Sequence, residues 1–185
     1  MCKQCELNPV YEFTNQRKLC KNCFINYFHK KFLFTIRKYK MIKTGDIAGY
    51  KKNDSLKGRI LEEMLFFLNK KYGTEIVKLP NKRANKIAID SSLDSESNEI
   101  VSLIIHGDSF NLKKNLPVEK NFIKPLYLFL DEEILLYAKI RNLKFKPEQK
   151  KKEKINEFLE EFEKKHPEVK RATVNSILAL HQNNK

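Results

Sequence analysis

Cys2-Lys3-Gln4-Cys5 and Leu19-Cys20-Lys21-Asn22-Cys23-Phe24 contain all four cysteines of this chain of 185 residues. Two residues separate the cysteines of each pair, and fourteen separate the pairs. Zinc takes four thiolates in a tetrahedron, and a two-residue gap lets both sulfurs of a pair reach the ion from one side. Two pairs leave no position for water, so the spacing predicts a structural zinc site with ligands Cys2, Cys5, Cys20 and Cys23. An iron–sulfur cluster also takes four cysteines and is the alternative, although the even spacing favours zinc.

The composition predicts a folded and strongly basic protein. Hydrophobic residues make up 41% of the chain, and its 13 Phe and 7 Tyr need a core. The 37 Lys and Arg outnumber the 23 Asp and Glu, and the resulting net charge of +14 attracts polyanions, above all nucleic acid. A lysine-rich composition also follows from an AT-rich genome or a hot habitat, so composition alone does not establish nucleic-acid binding.

Nothing in the sequence predicts a membrane protein. No apolar run approaches the ~20 residues of a membrane-spanning helix, because Asp131, Glu132 and Glu133 interrupt the best candidate, 122–138. Polar residues also stand at positions 2–4, where a leader peptide would begin. We therefore expect a cytoplasmic protein with no membrane partner, in a compartment where paired cysteines bind metal more often than they form disulfides.

The hydrophobic pattern predicts alternating helices and strands. Phe24, Tyr27, Phe28 and Phe32 predict a helix after the cysteines, and an apolar stripe predicts another from about Ser55 to Gly73. The segments 47–50, 75–79 and 86–90 are predicted to be strands, 108–122 a loop, and 96–105 and 131–141 helices. A long helix opened by the charged run 150–154 and a final helix complete the chain. The predicted fold class is α/β with helical flanks.

Four stretches, in order along the chain, resemble the ATP-dependent tRNA thiouridine sulfurtransferases, the tRNA 2-thiolation enzymes of the PP-loop superfamily. The zinc finger and the basic helix after it resemble the opening of that family. The other resemblances are Lys86-Ile87-Ala88 with Leu93-Asp94-Ser95-Glu96 and Gly107-Asp108; Ile123-Lys124-Pro125-Leu126 with Glu133-Ile134 and Tyr137-Ala138; and Phe158-Leu159, Glu163, Pro167 and Lys170. The resemblance implies a zinc finger (1–26), a reduced PP-loop core of the adenine nucleotide alpha-hydrolase type (27–145) and a C-terminal helical pair (146–185).

The residues that carry the family's chemistry are replaced. The family binds ATP phosphates with a Ser-Gly-Gly-Lys-Asp-Ser loop, whose glycines let backbone N–H groups approach the phosphates. Here the stretch is Lys51-Lys52-Asn53-Asp54-Ser55 after Tyr50, and only Asp54 and Ser55 remain. The family's Gly-His-Asn is Asp90-Ser91-Ser92. No cysteine follows Cys23, so we expect neither the family's catalytic iron–sulfur cluster nor its second zinc finger.

The resemblance therefore implies a non-catalytic subunit that binds tRNA and acts in wobble-uridine 2-thiolation, with an active sulfurtransferase as partner or by self-association. ATP binding stays in question, because Lys51 and Lys52 could still attract a phosphate beside a helix start at Asp54 and Ser55, or the stretch could simply form a solvated turn with Asp54 or Ser55 as helix cap. The alternatives are an active sulfurtransferase with a divergent loop and a general zinc-stabilised nucleic-acid-binding protein. Basic residues on and beside the first helix are the predicted RNA contacts: Lys18, Lys21, Lys30, Lys31, Arg37, Lys38 and Lys40.

Overall fold

The computed structural model describes residues 1–147 and 154–182. The N-terminal module is a hairpin of β1 (Pro9–Glu12) and antiparallel β2 (Lys18–Cys20), followed directly by α1 (Lys21–Lys38). The sequence predicted the helix and missed the hairpin, whose strands of four and three residues are too short to show a clear alternation. Most of the charged run 150–154 lies outside the described residues, and the division into three units stays a prediction.

A five-stranded sheet forms the middle of the chain. Its strands are β3 (Ile47–Tyr50), β4 (Glu75–Lys78), β5 (Lys86–Ala88), β6 (Val118–Glu119) and β7 (Phe122–Ile123), in the order β4-β3-β5-β7-β6. All pairs are parallel except β6 with β7. The predicted loop 108–122 was wrong in part, since it contains β6 and a 3-10 helix, Ser109–Asn115, and β7 begins at its end.

Helices cover the sheet and extend the fold beyond it. They are α2 (Leu56–Tyr72), α3 (Leu93–Ile105), α4 (Asp131–Ile140), α5 (Lys154–Lys165) and α6 (Val169–Gln182). The predicted limits of α2 are confirmed: the Ser55 side chain accepts from the N–H of Gly58, and Gly73 ends the helix with a φ of 69°. Among these described elements, no helix is sufficiently long and apolar to cross a membrane.

The core joins the N-terminal module to the sheet through aromatic side chains. Phe24, Phe28 and Phe32 lie on one face of α1 and are fully buried, and each such burial contributes about 1.5–3 kcal/mol. The ring of Phe28 stacks on Tyr137 of α4 with centroids 4.2 Å apart. A second cluster packs α6 onto α3 through Ile100, Val174 and Ile177. The module and the C-terminal helix are therefore held against the same α/β core.

Candidate functional site

The hairpin and the first turn of α1 bring the four cysteines together. Cys20 ends β2, and Cys23 lies one turn into the helix that begins beside it. The Sγ atom of Cys5 lies 3.3 Å from that of Cys20 and 3.7 Å from that of Cys23, and all four sulfurs lie within 4.8 Å of one another. Four thiolates bonded to one zinc ion at ~2.3 Å would be about 3.8 Å apart. The donor set thus accommodates a metal ion.

The surroundings of these sulfurs shift the pKa values of the thiols. Burial, together with hydrogen bonds from the other sulfurs, raises the pKa of Cys23 to about 12. The backbone N–H of Gln4, whose nitrogen is 3.5 Å from the sulfur, lowers the pKa of Cys2 to about 6. A cation among the four sulfurs favours the thiolate form of each of them. The close grouping of the four sulfurs, and not these shifts, is what suits a metal ion.

The second candidate site lies at the topological switch point of the sheet, where successive strands are added on opposite sides of β3. β3 has β4 on one side and β5 on the other, and both neighbours are parallel to it. In open parallel sheets, ligands bind at the carboxyl ends of strands at such a switch point. The loop 51–55 follows β3, and Asp90 follows β5, so the structure places the predicted nucleotide loop at this position.

Side chains of the loop itself occupy the space beside the start of α2. The Asn53 carboxamide donates from Nδ2 to Oδ2 of Asp90 at 2.9 Å, and its Oδ1 accepts from the backbone N–H of Ser55 at 3.1 Å and from Ser55 Oγ at 2.7 Å. A methyl group added at Gly58 would lie 1.7 Å from Asn53 Oδ1. Because Ser55 Oγ also accepts from the N–H of Gly58 at 3.0 Å, two backbone donors at this helix start already have acceptors within the protein.

The other loop residues point to structural roles. Lys51 and Lys52 are exposed, and Asp54 forms an exposed ion pair with Lys146 at 3.5 Å. Such surface pairs contribute little to stability. The lysines are thus the only free cations of this loop, while Ser55 is its helix cap.

Two acidic residues that the family resemblance singled out also have structural partners. Asp94 accepts from the backbone N–H of Asp131 at 2.7 Å and from Lys170 at 2.6 Å. Glu96 is buried, and Lys124 and Asn115 donate to it at 2.8 Å and 3.1 Å. Both carboxylates therefore have partners that give them a structural role.

The predicted RNA-binding residues separate into an exposed set and one exception. Lys21, Lys30, Arg37, Lys38 and Lys40 are exposed, and Lys18 is partly exposed beside Glu12. Lys31 is the exception: its side chain is 10% exposed and donates to the fully buried carboxylate of Glu133 at 2.8 Å. Burial lowers the pKa of Lys31, while Glu133 acts in the opposite direction. The ammonium group of Lys31 thus has a partner inside the protein, and its contact with RNA stays a prediction.

Sequence reasoning missed two arginines that the fold brings to the same surface. A cleft of about 590 Å³, here named the α1–α6 cleft, is lined by the N-terminal module, α1 and α6. Arg17 comes from the hairpin and Arg171 from α6, and both line it beside Lys30 and Lys38. Arg17 and Arg171 are 154 positions apart in the chain (171 minus 17), so only the tertiary packing of α6 could reveal them together.

Comparisons with known proteins identify the fold. No protein-family model matches the chain, and no curated protein sequence matches it. Solved structures do match. One of them is the U34-tRNA thiolase NcsA from Methanococcus maripaludis with its 4Fe-4S cluster, which is 18% identical with a TM-score of 0.78, over 97% of this chain and 86% of the other. The predicted fold class is confirmed: the chain has an α/β core with four N-terminal cysteines and C-terminal helices, and its fold is similar to that of this thiolase.

The same comparison corrects one prediction. The sequence favoured zinc at the four cysteines, and, because no cysteine follows Cys23, we expected no iron–sulfur cluster in this chain. That prediction is wrong, because the similar NcsA structure contains a 4Fe-4S cluster and the four cysteines of this chain converge in a group that can hold a metal. Since the chain has four cysteines in all, this N-terminal group is the place where cysteine-bound metal of either kind would lie.

Proposed function

We propose that this chain is a non-catalytic subunit that binds tRNA and acts in wobble-uridine 2-thiolation together with an active sulfurtransferase. The similarity of its fold to a U34-tRNA thiolase supports the pathway. Its net charge of +14 supports an RNA partner. The subunit works in the cytoplasm, where tRNA is modified and thiols stay reduced.

The observation that carries the non-catalytic part is the side chain of Asn53 at the switch point. A phosphate-binding loop needs bare backbone N–H groups at a helix start. Here the N–H groups of Ser55 and Gly58 are bound by Asn53 Oδ1 and Ser55 Oγ, and Asn53 Nδ2 is bound by Asp90. A triphosphate would have to displace these bonds without the glycines that make room for it.

The binding part rests on the N-terminal module and α1. The metal at Cys2, Cys5, Cys20 and Cys23 holds the hairpin against α1. Exposed lysines and Arg37 then present positive charge in a fixed arrangement, which suits the phosphate backbone of a folded RNA. The residues proposed for this contact are Lys18, Lys21, Lys30, Arg37, Lys38 and Lys40.

Two other functions give different outcomes in the same test. An active sulfurtransferase with a divergent loop would depend on this loop, with Lys52 as a cation for the phosphates and Asp54 as one of the two residues that remain from the family's loop. A general nucleic-acid-binding protein would have no effect on 2-thiouridine at all. The proposed subunit is needed for the modification, but its function does not depend on the side chains of the loop 51–55.

The experiment measures 2-thiouridine in tRNA from host cells that lack this chain. We expect the modified fraction to fall, and both the wild-type chain and the Lys52→Ala/Asp54→Ala variant to restore it. Restoration by the wild type alone would show an active loop and contradict the non-catalytic role. Unchanged 2-thiouridine in the cells without the chain would contradict the link to thiolation.

A further inference from the structure

The α1–α6 cleft is lined by cations on three sides. Arg17 lies in the N-terminal module, Lys30 and Lys38 on α1, and Arg171 on α6. The remaining lining includes Cys23 of the cysteine group and is otherwise neutral or aromatic apart from Lys31, whose charge is paired inside the protein. Within the described residues the cleft thus has a basic wall and no lining carboxylate.

Most of this positive charge is free to meet a ligand. Among the described contacts, Lys30 has no carboxylate partner, and Lys38 lies over the rings of Phe34 and Tyr39. Arg171 has one acidic neighbour, Glu168 on its own helix, at 3.4 Å, and both side chains are more than a third exposed. Exposed pairs of this kind exchange easily with water or with another anion.

Arg17 lines the cleft from the side of the hairpin. Its guanidinium lies over the ring of Phe13, 4.4 Å from the centroid. Its Nε is buried and has no hydrogen-bond partner among the described residues. A guanidinium group binds phosphate oxygens well, so Arg17 adds a phosphate-binding group to the lining of the cleft.

An aromatic side chain at the same cleft selects among phosphate ligands. Phe34 lines it and is 50% exposed, next to the charged face of α1. Exposed aromatic rings beside cations are the arrangement on which unpaired bases stack while phosphates bind the basic groups. The cleft is as large as pockets that take a drug-sized molecule, ~300–1,000 Å³, so it admits one or two nucleotides and not a double helix.

We propose that the α1–α6 cleft binds an unpaired stretch of RNA, with phosphates on Arg17, Lys30 and Arg171 and a base on Phe34. This inference rests on the proposed tRNA-binding function and adds to it the site and the single-stranded character of the bound segment. It makes α6 part of the RNA-binding surface, joined there to α1 and the N-terminal module.

The test titrates the full-length, metal-containing protein with fluorescent oligouridine, with an RNA duplex of equal length and with whole tRNA at several salt concentrations. Lys30→Ala/Arg171→Ala is compared with Lys70→Ala/Lys82→Ala, which removes two exposed lysines away from the cleft. We expect the first variant to reduce the salt slope for oligouridine by about 1.4, or roughly 0.7 for each phosphate contact, and the control to leave it unchanged.

Phe34→Ala tests the base contact, with Phe110→Ala as its control because Phe110 is 93% exposed and lies outside the cleft. We expect roughly 5- to 150-fold weaker oligouridine binding for Phe34→Ala alone. Equal effects of the cleft and control variants, or duplex that binds as tightly as oligouridine, would overturn the inference. If the wild type binds tRNA and the cleft variants bind oligouridine as the wild type does, the inference fails and the proposed function stands. If the wild type binds oligouridine through the cleft but does not bind tRNA, the proposed function fails and the inference stands.

Discussion

Asn53 Nδ2 lies 2.9 Å from Asp90 Oδ2, and this hydrogen bond joins the loops that follow β3 and β5. The same carboxamide accepts from both the backbone N–H and the hydroxyl of Ser55. Three hydrogen bonds therefore depend on one side chain at the switch point of the sheet. In a phosphate-binding loop the corresponding space belongs to the ligand, so the position of the Asn53 side chain supports the proposed non-catalytic role.

The close approach of Asn53 to Gly58 can be tested, because Gly58→Ala should change the unfolding free energy in opposite directions with and without the Asn53 side chain. Gly58→Ala alone places a methyl group 1.7 Å from Asn53 Oδ1, which must displace the carboxamide from its partners and costs about 1–3 kcal/mol of unfolding free energy. In an Asn53→Ala background the same change removes a helical glycine without a clash and gains up to ~1 kcal/mol. Urea unfolding of the four proteins of this cycle measures both effects. A Gly58→Ala change that destabilises equally in both backgrounds would contradict the contact.

His29 makes stability depend on pH in the acidic range. It donates to or accepts from Tyr137 Oη at 2.9 Å and stacks on Phe67. Burial, and then the charges of Arg141 and Lys71, lower its pKa below 6.5, with Glu63 acting in the opposite direction. The unfolded chain therefore binds the proton more readily, so stability is full above pH ~6.5 and falls as the pH drops through ~6.5 towards the folded pKa.

The His29 effect is measured as a difference between variants. His29→Gln should lose less unfolding free energy than the wild type between pH 7 and 5, whereas His106→Gln, at an exposed position, should follow the wild type. Parallel curves for the wild type and His29→Gln would show that this histidine does not control the acid response.

Lys30 and Lys31 are neighbours with opposite predicted roles. Lys31→Ala leaves the carboxylate of Glu133, which is 0% exposed, without its cation and should cost about 3–5 kcal/mol of stability. Lys30→Ala should change stability by less than ~0.5 kcal/mol and reduce the salt slope of RNA binding by about 0.7–0.9. Thermal unfolding and RNA titration of both variants check this. If Lys31→Ala remains as stable as wild type, the buried pair is not as described.

The metal at the N-terminal cysteines is tested by element and sulfide analysis of the purified protein. We expect one metal site per chain, and its loss in Cys5→Ser, because this exposed ligand can be changed without opening the core. Assays for zinc, iron and acid-labile sulfide identify which metal centre is bound. Loss of metal should also lower the thermal stability of the hairpin and α1, since the metal contributes folding free energy directly. Wild-type protein with neither zinc nor iron would contradict a metal site.

Local patterns in the sequence predicted the elements well. The spacing of the cysteines placed their four sulfurs together, and the stripe of α2 with Ser55 and Gly73 at its ends fixed that helix. These features depend on neighbours within a few residues. The strands β6 and β7 have two residues each, too few for any periodicity, and the segment was therefore predicted as loop.

The decisive features of the site depend on distant residues. Asn53 and Asp90 are 37 positions apart, and no local pattern shows that their side chains meet. Lys30 and Lys31 differ by one position, but successive helical residues point in directions about 100° apart, and the partner that buries Lys31 comes from α4. Arg17 and Arg171 likewise line one cleft only because α6 packs on α3. Charge alone could not separate exposed lysines from a buried one.

Calorimetric titration of ATP, and separately of tRNA, into the metal-containing protein tests the central claim most directly. The exposed basic residues predict tight, salt-dependent tRNA binding. The loop, filled by the Asn53 side chain, predicts no heat from ATP or AMP. Micromolar nucleotide binding, on the order of −8 kcal/mol, would contradict the account, because the bonds of Asn53 and Ser55 would then yield to a phosphate and the loop would still work.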